Sequence, residues 1–403
     1  VEEITVRIAM ISEHASPLGA GGQHAHVAEL SDALAELDHD VRVYTRRTDS
    51  ETAEVAMTPS GVRVVHVAAG PAQPLSEDLL LPHMGEFARL LGEQWSGDWS
   101  PDVVHAHFWT SGLAAVTAAR QIGVPVVQSF HELAGLDDRP KDARGPSRSG
   151  YERALGRAVD RVVAQSQDEV RGLVRIGVPR ERLSIVPAGV NSDRFTPDGP
   201  AMQRNPERPR ILSVGKLVER KGFGDVLEAM RYVPGAEVVV VGGPPPEQLK
   251  SDPGAKVLRA LAEQFKVADR FRLVGSVAHR DMPEWYRSAD LLVAAPWQDQ
   301  DALDQSALEA MACGVPIIGT AVGALNDTVV DGLTGDLVPA RDPRALGGAV
   351  RRLINDKVRR FTYATAALDR ARQAYSWRRV ASQVGSVYSS LRRTPASTEE
   401  AVA

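Results

Sequence analysis

The chain of 403 residues holds a single cysteine, Cys313. One thiol excludes an intramolecular disulfide and a cysteine-based zinc cluster, and it fits a reducing compartment. No stretch approaches the roughly 18 unbroken apolar residues that a membrane-spanning helix needs. The N-terminal VEEITVRIAMIS has no basic flank followed by an apolar signal core, so a cytoplasmic location is expected. An excess of one charge is missing too: 47 basic against 52 acidic residues leave −5. That balance gives no global pull toward nucleic acid or anionic membrane. With 43% hydrophobic and 25% charged residues, the chain is not collagen-like, coiled-coil or wholly disordered.

What is present is a repeated alternation. Short apolar runs at 6–12, 41–45, 62–67, 102–107, 124–130 and 161–166 read as buried parallel strands. Helix-period segments lie between several of them; in 24–37, Val27, Leu30, Leu34 and Leu37 share a face. The pattern restarts at 210–216, 236–243, 270–276, 290–295, 315–320 and 334–338. Strands alternating with helices predict two doubly wound α/β domains. The segment 192–209, rich in Pro, Asp and Arg, reads as the linker between them. The expected division is 1–191, 192–375, a C-terminal helix over 376–393 and a disordered tail over 394–403. Trp377, Val380, Val384 and Tyr388 stand at helical spacing and predict that this last helix docks. Two such domains facing each other make the intervening cleft the default ligand site.

Five patterns carry possible chemistry. GAGGQ (19–23) opens a helix after the first strand, where glycines admit a close ligand and free N–H groups meet an anion; a plain connecting turn is the alternative. GKLVERKG (215–222) clusters Lys216, Arg220 and Lys221 just beyond a strand. Ligands of open α/β sheets bind there, and cations suit a diphosphate; a solvated basic loop is the alternative. In SALEAMACGVP (306–316), Ser306 and Glu309 have the spacing of a capping box, the reading the local pattern favours; it leaves room for Glu309 as a carboxylate accepting from sugar hydroxyls. Nine of the ten histidines lie in 14–131. His24/His26 and His105/His107 have H-x-H spacing, but no third ligand stands at a recognisable zinc interval, so no metal is expected. His131, beyond the strand VVQSF, is the stronger functional candidate. DQD (299–301) is too short to imply a metal by itself.

Taken together, EHASPLGAGGQHAHVAELSDAL, PDVVHAHFWTSGLAA, VVQSFHELA, PAGVNSDRF, VGKLVERKGF, LEAMACGVPIIGT and VVDGLTGDLVP resemble the retaining, nucleotide-sugar-dependent glycosyltransferases of family 4. The actinobacterial branch that glycosylates inositol phosphate is the nearest in flavour. The resemblance runs from about residue 6 to 390. It implies the GT-B fold, two Rossmann-like domains facing a cleft, with the C-terminal helix returning to the N-terminal domain. It implies transfer from a UDP- or GDP-sugar to a small polar acceptor, in natural-product or small-thiol biosynthesis, with no cofactor and no metal. A homodimer is compatible with it; nucleic acid is not a partner. Other readings of the same fold are a nucleotide-sugar epimerase or phosphorylase, and a non-catalytic nucleotide-sugar-binding subunit.

Residue by residue, the resemblance implies that Gly21 and Gly22 offer amides to the donor diphosphate or the acceptor. Lys216, Lys221 and His131 would be the catalytic set, with Arg220 beside the diphosphate. Val274, Gly275 and Ser276 would line the nucleobase pocket. Ser306, Leu308 and Glu309 would complete the donor site, Glu309 holding the ribose. Glu13, His14, Gln23, His24, His107, Trp109 and Glu132 would face the acceptor. The chain departs from the family at the Glu-Pro-Phe-Gly loop, whose Glu holds the hexose. Counting back eight residues from Glu309 puts Asp301 there; counting forward from Pro296-Trp297 puts Asp299 there. The usual glycine is then Asp304 or absent.

Overall fold

The computed structural model describes residues 5–19, 22–134, 147–298 and 305–391, with Gly22 and Gln23 as backbone only. The chain divides into two compact units. One comprises the described residues of 1–164, 172–186 and 381–391; the other comprises 165–171 and 187–380.

The first unit is built on eight strands: β1 (Arg7–Ile11), β2 (Asp40–Arg46), β3 (Val55–Met57), β4 (Arg63–Val67), β5 (Val103–His107), β6 (Val126–Ser129), β7 (Arg161–Ala164) and β8 (Leu183–Ile185). Their order is β3-β4-β2-β1-β5-β6-β7-β8, and every pairing is parallel except β3 with β4. The expected strands are all present. β3 and β8 were not expected, because three residues carry no readable alternation. β3 is an antiparallel edge strand on which Val55 and Met57 stay exposed.

The second unit holds β9 (Arg210–Val214), β10 (Glu237–Val241), β11 (Phe271–Gly275), β12 (Leu291–Ala294), β13 (Ile317–Thr320) and β14 (Gly335–Val338), in the order β11-β10-β9-β12-β13-β14. All are parallel. Parallel strands are covered by helices on both faces, so they read as unbroken apolar runs. β10 illustrates this: Val239 and Val241 enter one core, while Val238 and Val240 enter the other. Two-residue periodicity makes that division automatic.

The segment 192–209 has no helix or strand, as its composition predicts, but it is not a free tether. Phe195 is fully buried in the second unit's core. Arg287 donates from Nε to the carbonyl of Pro200 at 2.7 Å and from Nη1 to that of Thr196 at 3.1 Å. The final helix, Trp377–Leu391, buries Trp377, Val380, Val384 and Tyr388 on one stripe. From Ala381 onward it belongs to the first unit, where Tyr388 Oη lies 2.7 Å from His105 Nδ1.

The segment 165–171 packs with the second unit, where the Gln167 N–H donates to the Asp327 carboxylate at 2.7 Å. A variant of the capping box forms here, its glutamate reaching back one residue beyond the cap Ser166. Ser166 Oγ accepts from the Glu169 N–H at 3.0 Å, and the Glu169 carboxylate accepts from the Gln165 N–H at 2.7 Å. The other Ser-x-x-Glu, at 306–309, forms no such box. Ser306 already lies inside the helix Gln305–Ala312, and a cap residue must stand outside it.

Candidate active site

In each sheet the chain works outward from one strand and then returns to that strand's other side. The strand order reverses between β1 and β5 in the first unit and between β9 and β12 in the second. At such switch points the loops beyond the strand ends part and leave a crevice for a ligand.

At the first switch point, Glu13 stands two residues beyond β1 and is fully buried. Its carboxylate accepts from the hydroxyls of Thr110 and Ser111, at the start of the helix Trp109–Ile122. It also accepts from His14 Nδ1 at 2.8 Å. A buried carboxylate is costly unless its lone pairs are occupied, and these donors occupy them. The pairing sets His14 with its proton on Nδ1 and Nε2 as the acceptor, on a side chain 38% exposed.

Beside Glu13 and His14 stand the histidines. His107 ends β5 and His131 follows β6, with His107 Nδ1 2.8 Å from His131 Nε2. The His105 and His107 rings share a face, as the strand spacing predicts, with centroids 4.4 Å apart. His24 and His26 lie on the helix Gly22–Ala35 instead, where residues two apart diverge. His24 Nδ1 turns to the carbonyl of Ser16 at 2.9 Å, and its ring packs over Gly19. His26 turns to His131, 4.7 Å between centroids. Burial pushes His26 down to about 4 and His105 down to about 3. His107 also falls well below the ordinary value, through burial first and the neighbouring imidazoles second. Phe108 and His131 hold φ of 69° and 65°, the left-handed region that side chains avoid.

Trp109 is buried and stacks on Tyr151 with centroids 5.5 Å apart; its indole N–H has no hydrogen-bond partner among the described residues. Glu132 is exposed, and its carbonyl accepts from Arg148 at 3.0 Å. The Arg148 guanidinium also meets Glu152 at 2.9 Å and Glu77 at 3.4 Å. Of the loop glycines, Gly22 begins the helix; Gly21 and the Gln23 side chain lie outside the described residues.

At the second switch point, β9 leads into Lys216 and then a 3-10 turn over Glu219–Lys221. Lys216 is exposed, while Arg220 and Lys221 are half-buried, the Lys221 stem running past Gly215. The loop is fixed to the far side of the switch. The Arg220 carbonyl accepts from the Trp297 N–H at 2.9 Å. Gly222, at φ 68°, presses on Ala295, where a Cβ would stand 1.8 Å from the carbonyl oxygen; only glycine fits. Trp297 is itself held, its indole N–H donating to Asp225 at 2.6 Å and its ring lying under Arg341.

Glu309 is buried on the helix Gln305–Ala312. Its carboxylate accepts from Tyr286 Oη at 2.8 Å and His279 Nε2 at 2.7 Å. Arg194 Nη1 reaches His279 Nδ1 at 3.3 Å, which places the imidazole proton on Nε2, facing Glu309. Leu308 is a core residue, so only its backbone is left for a ligand. Val274 is half-buried against the core, Gly275 ends β11, and Ser276 is exposed. Asp299, Asp301 and Asp304 lie outside the described residues. A cavity of about 500 Å³ lies nearby, lined largely by apolar side chains such as Leu217, Phe223, Leu258 and Phe265; its lining does not include Lys216, Lys221 or Glu309.

Sequence reading missed Thr110, Ser111, His279 and Tyr286, which hold the two buried carboxylates. The Thr-Ser pair just after HAHF was a usable signal, since hydroxyls in a first helical turn beyond a strand can cover a strand-end carboxylate. Nothing near His279 or Tyr286 points to Glu309.

Residues 21–189 match the Glycosyl transferase 4-like domain and residues 208–356 the Glycosyl transferases group 1 family. The chain is 35% identical to a D-inositol 3-phosphate glycosyltransferase of Xylanimonas cellulosilytica, over 97% of this chain and 98% of that protein. It is 31% identical to D-inositol 3-phosphate glycosyltransferase 2 of Catenulispora acidiphila, over 96% of both. Sucrose-phosphate synthase from Thermosynechococcus elongatus superposes with a TM-score of 0.82 at 26% identity, over 96% of this chain and 99% of that one. HepE of Anabaena, solved with UDP and glucose, shares the fold with a TM-score of 0.72 at 17% identity, over 96% of this chain and 100% of that one. With both of its sheets and nearly its whole length matched in this way, the chain belongs to the family-4 glycosyltransferases of the GT-B fold.

Proposed function

We propose that the protein moves a sugar from a nucleotide-diphosphate donor, a UDP- or GDP-sugar, to a small polar acceptor, with retention at the anomeric carbon and without a metal. The observation that carries this reading is the loop of Lys216, Arg220 and Lys221, fastened across a topological switch point by Trp297 and Gly222. As the C1–O bond to the leaving diphosphate breaks, negative charge grows on the phosphate oxygens. Fixed ammonium groups stabilise it there without reorganising, which is the most effective form of electrostatic catalysis. Glu309, locked by His279 and Tyr286, keeps lone pairs for the ribose hydroxyls.

Retention follows from a front-face displacement. The acceptor oxygen bonds to C1 on the side the diphosphate leaves, and the departing phosphate oxygen takes the acceptor proton. Double displacement needs a carboxylate nucleophile instead. Glu13, the buried carboxylate at the first unit's switch point, is committed to Thr110, Ser111 and His14. His131 contacts the transferred sugar, and the polar residues around it, from His14 to Glu132, receive the acceptor. Among the described residues no helix is long and apolar enough to cross a membrane. The buried thiol of Cys313 suits a cytoplasmic enzyme.

A thermal-shift screen of UDP-, GDP- and ADP-sugars tests the donor, because a ligand that binds only the folded chain raises its melting temperature. One nucleotide class gives a clear shift; a flat response to all of them rejects the reading. The matching donor is then offered with D-inositol 3-phosphate, for which the relatives are named, and with other small polyols. Proton NMR of the product reads the anomeric configuration. Conversion of the donor with no acceptor present identifies an epimerase instead.

A further inference from the structure

Three histidines of the first unit come from three different elements: His26 from the helix after β1, His107 from the end of β5, and His131 from the turn after β6. One ring nitrogen of each lies within 4.8 Å of the other two. The tightest pair, His107 Nδ1 and His131 Nε2, is 2.8 Å apart. Nitrogens bound about 2.0–2.1 Å from a tetrahedral ion stand roughly 3.4 Å from one another. The pair therefore opens by roughly 0.6 Å and the third imidazole closes by at most about 1.4 Å, movements within the reach of ring rotations.

We propose that His26, His107 and His131 form a binding site for a borderline divalent transition ion, of which Zn²⁺ is the type, with the fourth position open. The ion takes the place of the hydrogen between His107 Nδ1 and His131 Nε2, which moves to the far nitrogen of its own ring, so that both rings stay neutral, His107 protonated on Nε2 and His131 on Nδ1. Three neutral nitrogen donors with no oxygen ligand favour zinc, cobalt or nickel over magnesium or calcium, which demand oxygen. His26 is 9% exposed and His131 6%, so the cluster meets solvent through these two rings while His107 is enclosed. The site shares His131 with the proposed transfer reaction, whose leaving charge is balanced by lysines rather than by an ion.

The experiment is a cobalt titration of the full chain, free of any histidine tag and stripped of metal with a chelator. One equivalent of Co²⁺ develops the intense visible absorption of a four-coordinate ion, and one equivalent of Zn²⁺ abolishes it. His26→Ala removes one ligand from a helix surface and weakens uptake at least about 100-fold, since even losing a supporting contact to a metal ligand costs 10–100-fold. Circular dichroism confirms that the variant is folded. Should His107→Gln fail to fold, His131→Asn supplies the second ligand deletion. His83→Gln, on a separate turn of the same unit, binds like the parent chain. The proposal is overturned by the absence of stoichiometric uptake, by the weak absorption of a six-coordinate ion, or by uptake that His26→Ala leaves unchanged.

Discussion

The two sheets solve the same problem at their switch points with opposite materials. In the second unit β9, β10 and β11 run into Gly215, Gly242 and Gly275, all at positive φ, and the loop after Gly215 carries Lys216, Arg220 and Lys221. In the first unit β5 and β6 run into Phe108 and His131, also at positive φ, amid buried imidazoles and the enclosed carboxylate of Glu13. Glycine at a strand end brings backbone close to a ligand without strain. A phenylalanine or histidine in the same conformation costs about 1–3 kcal/mol and persists only where its side chain is needed in that place. The second unit is shaped to let a charged group approach the main chain. The first is shaped to hold particular side chains in orientations the backbone resists.

If that division is right, charge stabilisation belongs to the second unit, and its loss is the largest effect expected. Lys221→Ala lowers turnover at least about 100-fold, the scale of losing one donor to a developing anion. Steady-state kinetics with the donor found in the nucleotide screen measures it. Near-normal turnover in a folded Lys221→Ala protein removes the lysine clamp and with it the contrast in charge.

The second test is acid. His26 and His105 have folded values of about 4 and about 3, and His107 lies well below its ordinary value, all through burial. Below about pH 6.5 the unfolded chain takes up protons that these folded imidazoles refuse. The stability they permit is therefore complete above pH 6.5 and declines as pH falls toward 4. At pH 5 His26 and His105 each cost on the order of 2 kcal/mol, from roughly 1.5 pH units at 1.36 kcal/mol per unit. The second unit contains one histidine, His279. Hydrogen exchange, corrected for the intrinsic rate, shows protection falling in β1, β5 and β6 between pH 7 and pH 5, while β9, β10 and β12 hold theirs. Equal losses in both sheets would erase the distinction.

Most of the fold was legible because buried parallel strands announce themselves as short apolar runs, and each expected run is a strand here. β3 and β8 escaped because three residues hold too little pattern. The roles of the two Ser-x-x-Glu segments were not legible. Ser166–Glu169 caps a helix and Ser306–Glu309 does not, and the difference lies in where each helix begins rather than in the letters. Lys216 and Lys221 could be singled out because position after a strand and charge both show in one dimension. The meeting of His26 with His107 and His131 did not show, because it depends on a helix laid across two strands. H-x-H spacing had a strand meaning for His105/His107 and none for His24/His26, which share a helix.

The smallest effect separates strain from chemistry at one residue. At φ 65° an L-residue carries about 1–2 kcal/mol of steric cost that glycine does not. His131→Gly and His131→Ala both remove the imidazole, so any loss of transfer is common to the two. They differ in the strain that alanine retains and in the greater freedom that glycine gives the unfolded chain, which offsets roughly 0.5–1 kcal/mol. His131→Gly is then more stable than His131→Ala by about 0.5–1 kcal/mol, read as a shift in urea midpoint at unchanged slope. A glycine variant that is at least as stable as alanine's, yet equally inactive, means that the backbone at this strand end is strained for the sake of the ring it carries. A glycine variant less stable than alanine means that the turn after β6 is relaxed, and that the first unit holds its histidines by packing alone.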